Sequence, residues 1–150
     1  MAKKNMMILL VVLVVAAGIG LFVLFGPPRV LAKSGEPDFC ASCHVMEAEY
    51  VAWSYTGAHR TLKCVDCHLP NQNKFAHYVW KSIDGLKDAW FFYSGRVSER
   101  IELTEHGGEV LQANCIRCHS GTVSMISTQA ECWSCHRGTQ HRLSGTIETL

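Results

Sequence analysis

No cysteine in this 150-residue chain lies outside one short motif. Excess charge is missing too: 14 Lys and Arg against 13 Asp and Glu leave a net charge of +1. Electrostatics therefore names no partner, and nothing points to nucleic acid. Beyond residue 25 the chain is poor in Ile, Leu and Val, although 48% of all its residues are hydrophobic. A chain of this length is ordinarily one domain. Its aliphatic side chains alone supply too little volume for that domain's core.

The cysteines all fall in four copies of Cys-x-x-Cys-His: Cys40–His44, Cys64–His68, Cys115–His119 and Cys132–His136. This motif attaches c-type haem: two thiols add across the vinyl groups and the adjacent imidazole faces the iron. Paired CxxC motifs also serve zinc, and cysteine-rich chains also build disulfide frameworks. Neither accounts for a histidine after every pair. With 8 His in 150 residues, four such coincidences carry odds of roughly one in 10⁵. Cys40, Cys43, Cys64, Cys67, Cys115, Cys118, Cys132 and Cys135 are thus read as thioether positions for four haems. Those haems would replace the missing apolar volume.

Met6 to Phe25 is twenty apolar residues without a charge, long enough to cross a bilayer as a helix. Lys3 and Lys4 precede it, which puts the N-terminus in the cytoplasm and the rest outside. A cleaved signal peptide would have a shorter apolar stretch of about 7–15 residues. Val30-Leu31-Ala32 could pass as a cleavage site but lies beyond Pro27, Pro28 and Arg29. The expected organisation is a cytoplasmic N-terminus (1–5), an uncleaved anchor (6–26), a linker (27–39) and a periplasmic haem domain (40–150). That places the chain in a bacterial inner membrane as a single-pass protein.

The motif starts are separated by 24, 51 and 17 residues. In the long gap, Lys74 to Tyr93 reads as a helix that Ser94-Gly95 stops. Lys74, His77, Lys81, Asp84 and Asp88 fall at steps of three and four and form one polar stripe. Trp90-Phe91-Phe92-Tyr93 ends it, and such rings serve equally at a membrane interface or against haem faces. A weaker helix is expected from about Val97 to Ala113. The fold class is mainly α: a haem-packed multihaem cytochrome with little regular structure beyond short helices, behind one transmembrane helix.

Four haems need distal ligands as well as motif histidines, and His59, His77, His106 and His141 remain. His141 follows His136 by five residues, too short a span to round its own porphyrin, so it suits a neighbouring haem. His59, just before the second motif, likewise suits another haem. His77 is a ligand, a proton-relay group or a solvated residue. His106, in Glu105-His106-Gly107-Gly108, reads as a loop histidine. Met46 follows the first motif closely enough to compete with His44 for iron, although a methionine is more often a core residue.

Several of these features together resemble the NapC/NirT-type tetrahaem quinol dehydrogenases. They are CxxCHxM at 40–46, Gly57-Ala58-His59, Lys81 and Asp88 in WKSIDGLKD, Asn114, and CxxCHRxxxH at 132–141. Within that family the short length and CxxCHxM look most like the small membrane subunit of ammonia-forming cytochrome c nitrite reductase. Ala58 and the His-Gly-Gly at 106–108 depart from the pattern. The resemblance implies Met46, rather than His44, as protein ligand of haem 1, with Asp88 beside its open face. It implies His68, His119 and His136 as proximal ligands of haems 2, 3 and 4. His59 and His141 would be distal to haems 4 and 3. Haem 2 would draw its second ligand from His77 or a partner subunit.

The same resemblance implies menaquinol as substrate and a pentahaem nitrite reductase catalytic subunit as partner in a stable membrane complex. A quinol releases two electrons and two protons, so the site needs a base beside the first haem. Asp88 would be that base, and Lys81, two turns earlier on the same face, would bind the quinol oxygen. Spacing alone reads both as a solvated stripe or as propionate partners. Two other functions fit: a quinol dehydrogenase serving another reductase, such as nitrate reductase, and an anchored electron carrier with no quinol site.

Overall fold

The computed structural model describes residues 2–27, 29–98 and 100–141. Helix α1 (Ala2–Phe25) contains the whole apolar run. Its large apolar side chains stay exposed, from 40% at Val23 to 66% at Met6. At 24 residues it is about 36 Å long, enough for a hydrocarbon layer of about 30 Å. It ends as expected at Gly26, whose N–H donates to Phe22 O at 2.7 Å. Arg29 then takes a left-handed conformation (φ 46°) and turns the chain into α2 (Val30–Lys33). The linker is thus more ordered than its polarity suggests. Pro37 opens α3 (Pro37–Ala41), where its missing N–H costs nothing.

The haem motifs occupy four short helical settings. The first spans the end of α3 and the 3₁₀ turn His44–Met46, which leads into α4 (Glu47–Ser54). The second fills α5 (Cys64–His68), after the 3₁₀ turn Gly57–Thr61. The third lies inside α7 (Glu105–Val123) and the fourth forms α8 (Cys132–Cys135). In each, one helical turn sets two cysteines three residues apart on one face. Among the described residues there is no strand.

Helix α6 (Lys74–Tyr93) has the expected bounds. Asn73 Oδ1 accepts from the N–H groups of Phe75 (2.8 Å) and Ala76 (3.4 Å), and Gly95 closes the helix at φ 66°. The second long helix differs from expectation. It begins at Glu105, not Val97, because Thr104 Oγ1 accepts from Gly107 N at 3.1 Å and caps it there. It then runs through the third motif to Val123, kinking at His119 (φ −107°, ψ 22°). His106 therefore sits in a helical first turn rather than in a loop.

Aliphatic packing is sparse. Among the described residues only Gly35, Ala52, Leu69, Val110 and the polar Asn114 are buried. Asn114 locks α7 against α5: its Nδ2 donates to Cys67 O and Leu69 O, both at 2.9 Å. Arg117 Nε donates to Asn114 Oδ1 at 3.1 Å, and Asn71 Nδ2 donates to Leu69 O at 2.7 Å. A network with its donors and acceptors paired specifies the α5–α7 register where few apolar contacts could.

Candidate haem-binding and electron-transfer site

None of the eight cysteines is in a disulfide, and six of them meet in pairs across motifs. The Cys40 and Cys64 thiols share a hydrogen bond, which pulls Cys40 down to about 7. Cys115 and Cys132 are likewise in hydrogen-bonding contact. Cys67 feels the charge of Cys118. The first motif therefore adjoins the second, the second adjoins the third, and the third adjoins the fourth. Among the described residues no three His, Cys, Asp or Glu side chains converge as a metal cluster.

The histidines pair instead. His59 and His119 have ring centres 6.0 Å apart, at 82°. His68 and His141 also stand 6.0 Å apart, at 25°. Two imidazoles on opposite sides of one iron need about 6 Å, from roughly 2 Å per Fe–N bond and about 1 Å from nitrogen to ring centre on each side. The donors thus fit haem c ligated by two histidines. The pairing differs from expectation: His59 meets the third motif rather than the fourth, and His141 meets the second rather than the third. Of the second, third and fourth motif histidines, the one left without a histidine partner among the described residues is then His136, not His68. It faces a cleft of about 250 Å³ lined by Tyr55, Thr56, Gly138 and Thr139. His141 adopts φ 51°, a strained conformation for a side chain bearing Cβ. Burial and the nearby His141 hold His68 down to about 4, which keeps it in the neutral, ligating form.

At the first motif, the 3₁₀ turn brings Met46 N to Cys43 O at 2.9 Å, and His44 packs edge-on against Phe92 of α6 at 5.4 Å. Helix α6 thus lies beside the motif. Lys81 and Asp88 both act on the Cys40 thiol, with opposite signs. Lys81 Nζ donates to Leu31 O at 2.7 Å, tying α6 to the turn that follows the membrane span. Burial lowers the Lys81 pKa, against the pull of Cys40. Desolvation raises the Asp88 pKa; Lys87 opposes this and Asp84 adds to it. The Asp88 side chain remains 74% exposed.

Residues 2–113 match the family model described as the NapC/NirT cytochrome c family, N-terminal region. The chain belongs to this family. It is 32% identical over 128 residues to the cytochrome c-type protein NrfH of Wolinella succinogenes, covering 84% of this chain and 72% of that one. It is 36% identical over 84 residues to the cytochrome c nitrite reductase subunit NrfH of Nitratidesulfovibrio vulgaris, over 56% of this chain and 52% of that one. Its fold matches a chain in the crystal structure of the cytochrome c nitrite reductase NrfHA complex bound to the inhibitor HQNO. There the TM-score is 0.71 at 30% identity, covering 87% of this chain and 90% of that chain. NapC/NirT membership implies covalently bound haem c, and α1 fits the single-pass anchor of NrfH-like proteins.

In this NapC/NirT cytochrome, His77 Nδ1 lies 3.2 Å from Pro70 O, and its ring abuts Tyr78 rather than a motif histidine. His106 stacks on Trp80 at 3.7 Å. Sequence reasoning missed two residues. Gln112 bridges the third and fourth motifs: its Nε2 donates to Thr128 O and Ala130 O (3.1 Å each), and its Oε1 accepts from Cys132 N at 3.0 Å. Glu49 acts electrostatically on His141, and its Oε2 and the His141 Nδ1 are both buried without a partner. A ligating histidine commonly offers its second nitrogen to such a carboxylate. Nothing in the local sequence marks either residue, because both act across long chain separations.

Proposed function

We propose that this chain is a membrane-anchored tetrahaem quinol dehydrogenase. It oxidises menaquinol at the outer surface of the bacterial inner membrane and serves the pentahaem catalytic subunit of a periplasmic, ammonia-forming nitrite reductase. The observation that carries this reading is the place of Lys81 and Asp88. They lie on one face of α6, beside Cys40, and Lys81 is bonded to Leu31 just beyond the membrane span. A lipid-soluble donor would meet them as it leaves the bilayer.

Haem c, when bound, supplies the one-electron acceptors that a quinol's two electrons require. The eight cysteines hold it. Met46 ligates at the first site, with His44 as the weaker candidate. His68 with His141, and His119 with His59, ligate at the second and third. His136 ligates at the fourth, whose other ligand the partner subunit would supply through the Tyr55–Thr139 cleft. His77 is not needed as a ligand. The cysteine contacts arrange the four sites in single file, from the Lys81–Asp88 end to His136.

The quinol's protons need acceptors that iron does not provide. The Asp88 carboxylate takes them one at a time, passing the first to water on the outer side before it accepts the second, and its raised pKa makes it a stronger base than an ordinary aspartate. Lys81 Nζ keeps two N–H donors beyond the one given to Leu31, enough to hold the quinol oxygen as negative charge develops. Protons leave on the outer side, because Lys3 and Lys4 hold the N-terminus of α1 inside. The partner assignment is supported by the relatives' names, NrfH and the NrfHA complex.

One observation favours a second reading: Asp88 is as exposed as a solvated stripe would be. An anchored carrier loaded by another dehydrogenase would keep every haem residue and leave Lys81 and Asp88 without a role. Anaerobic mixing of the oxidised, haem-loaded protein with a reduced menaquinone analogue separates the two. Rapid reduction of the haem bands is expected, slowed by about 10²–10⁴ in Asp88→Asn at unchanged haem content. Reduction by dithionite but not by the quinol would select the carrier.

A further inference from the structure

Helix α6 is amphipathic with its apolar side turned outward. Its contacts with the rest of the molecule come from one side: His77 at Pro70 O, Trp80 stacked on His106, Lys81 at Leu31 O, and Phe92 against His44. At about 100° per residue, these positions span about a third of the helix circumference. The opposite side carries Phe75, Val79, Ile83, Leu86, Trp90 and Tyr93, at steps of three and four. They are exposed by 79%, 38%, 47%, 74%, 66% and 87% respectively. They form an unbroken apolar stripe along the helix's length of about 30 Å. Rings at an edge of the helix could still reach the haem of the first motif. The stripe cannot, because it faces away from Cys40 and His44.

The stripe lies close to the membrane. Lys81, near the middle of α6, is bonded to Leu31, only six residues beyond the end of α1 at Phe25. Its Nζ also sits 3.2 Å from where a Gly35 Cβ would be, so the helix is held at the linker and not at the far end of the domain. The bond at Leu31 thus keeps α6 near the end of the membrane span, and Trp and Tyr at its C-terminal end are residues that favour the bilayer interface.

We propose that α6 lies flat on the outer leaflet, with its Phe75–Tyr93 stripe sunk into the lipid interface. In that pose the opposite, polar side of α6 overlies the surface. A donor dissolved in the leaflet then reaches Lys81 and Asp88 by passing the edge of one helix. The surface contact stands on its own geometry; only this last consequence rests on the quinol reading.

The test uses thiol labelling of the full, haem-loaded chain. Once the native cysteines are thioethers, an introduced cysteine is the sole free thiol. Leu86→Cys probes the stripe and Met125→Cys a solvent-facing turn; the parent residues are 74% and 93% exposed in the isolated chain. In liposomes of phosphatidylethanolamine and phosphatidylglycerol, a charged, membrane-impermeant maleimide should label Leu86→Cys at least about tenfold more slowly than Met125→Cys. Phe75→Cys should be protected to a similar degree, and it serves if Leu86→Cys fails to mature. Equal rates at both sites would overturn the proposal. So would protection that disappears when protein is diluted to one chain per vesicle, since that would mark a contact between two copies of the chain. Protection without loss of quinol oxidation in Asp88→Asn would keep the lipid contact and remove only the quinol reading.

Discussion

In the proposed mechanism Asp88 would serve as a base only when ionised. Partial desolvation raises its pKa above the ordinary 3.8 although the side chain stays 74% exposed; Lys87 pulls it down and Asp84 pushes it up. Quinol oxidation should therefore be lost at low pH and rise with pH through a limb centred above 3.8. The Lys87 ammonium lies 4.0 Å from the carboxylate and favours its charged form. Lys87→Gln removes that cation, so the limb should move to higher pH. A profile of kcat/KM against pH for both proteins checks this; an unmoved limb would assign it to another group. The types of residue at this site were legible in the sequence, since a base and a cation at i and i+7 share a helix face. Their nearness to Cys40 was not, because it depends on how α6 docks on the first motif.

At the level of elements, the joint between α5 and α7 rests on polar contacts more than on apolar packing. Asn114→Ala would remove the donor to the half-buried Cys67 carbonyl and one of two donors to the buried Leu69 carbonyl, which keeps Asn71 Nδ2. We expect a loss of about 1–3 kcal/mol, read by guanidinium unfolding of the haem-loaded protein followed at the haem bands. A loss within about 0.5 kcal/mol would mean that the haems alone hold the joint. Asn114 was visible in the sequence as part of a family pattern, but its job as a lock was not. The two long helices show the same division. For α6 the cap, the stripe and the stop are all local, and the bounds agree with the sequence reading. For α7 the sequence reading starts the helix near Val97, yet a single hydroxyl–amide bond from Thr104 decided the true start.

Across the whole molecule, the proposed attachment sites would form one file with His136 at its open end. The isolated chain in detergent should therefore take up added imidazole at the fourth site, seen as a shift of the Soret band. Gly138→Trp should block that uptake: it lines the cleft, and a Cβ there meets nothing within 4 Å. Assembly with the catalytic subunit should block it as well. Uptake that Gly138→Trp leaves intact would place the open coordination position elsewhere, at Met46.

The chain's chemistry follows from its sequence alone. Four copies of one motif point every cysteine toward haem c, and twenty uncharged residues give the N-terminal helix the length and composition of a membrane anchor, because both signals are strictly local. The partnership of histidines could not be read the same way. The sequence reading assigned His59 and His141 each to a neighbouring haem, His141 because a tether of five residues from His136 cannot round a porphyrin. Which neighbour depended on the packing of α5 against α7 and on the left-handed turn at His141. Tertiary structure decided it by bringing rings 60 and 73 residues apart in the chain to the same 6.0 Å separation.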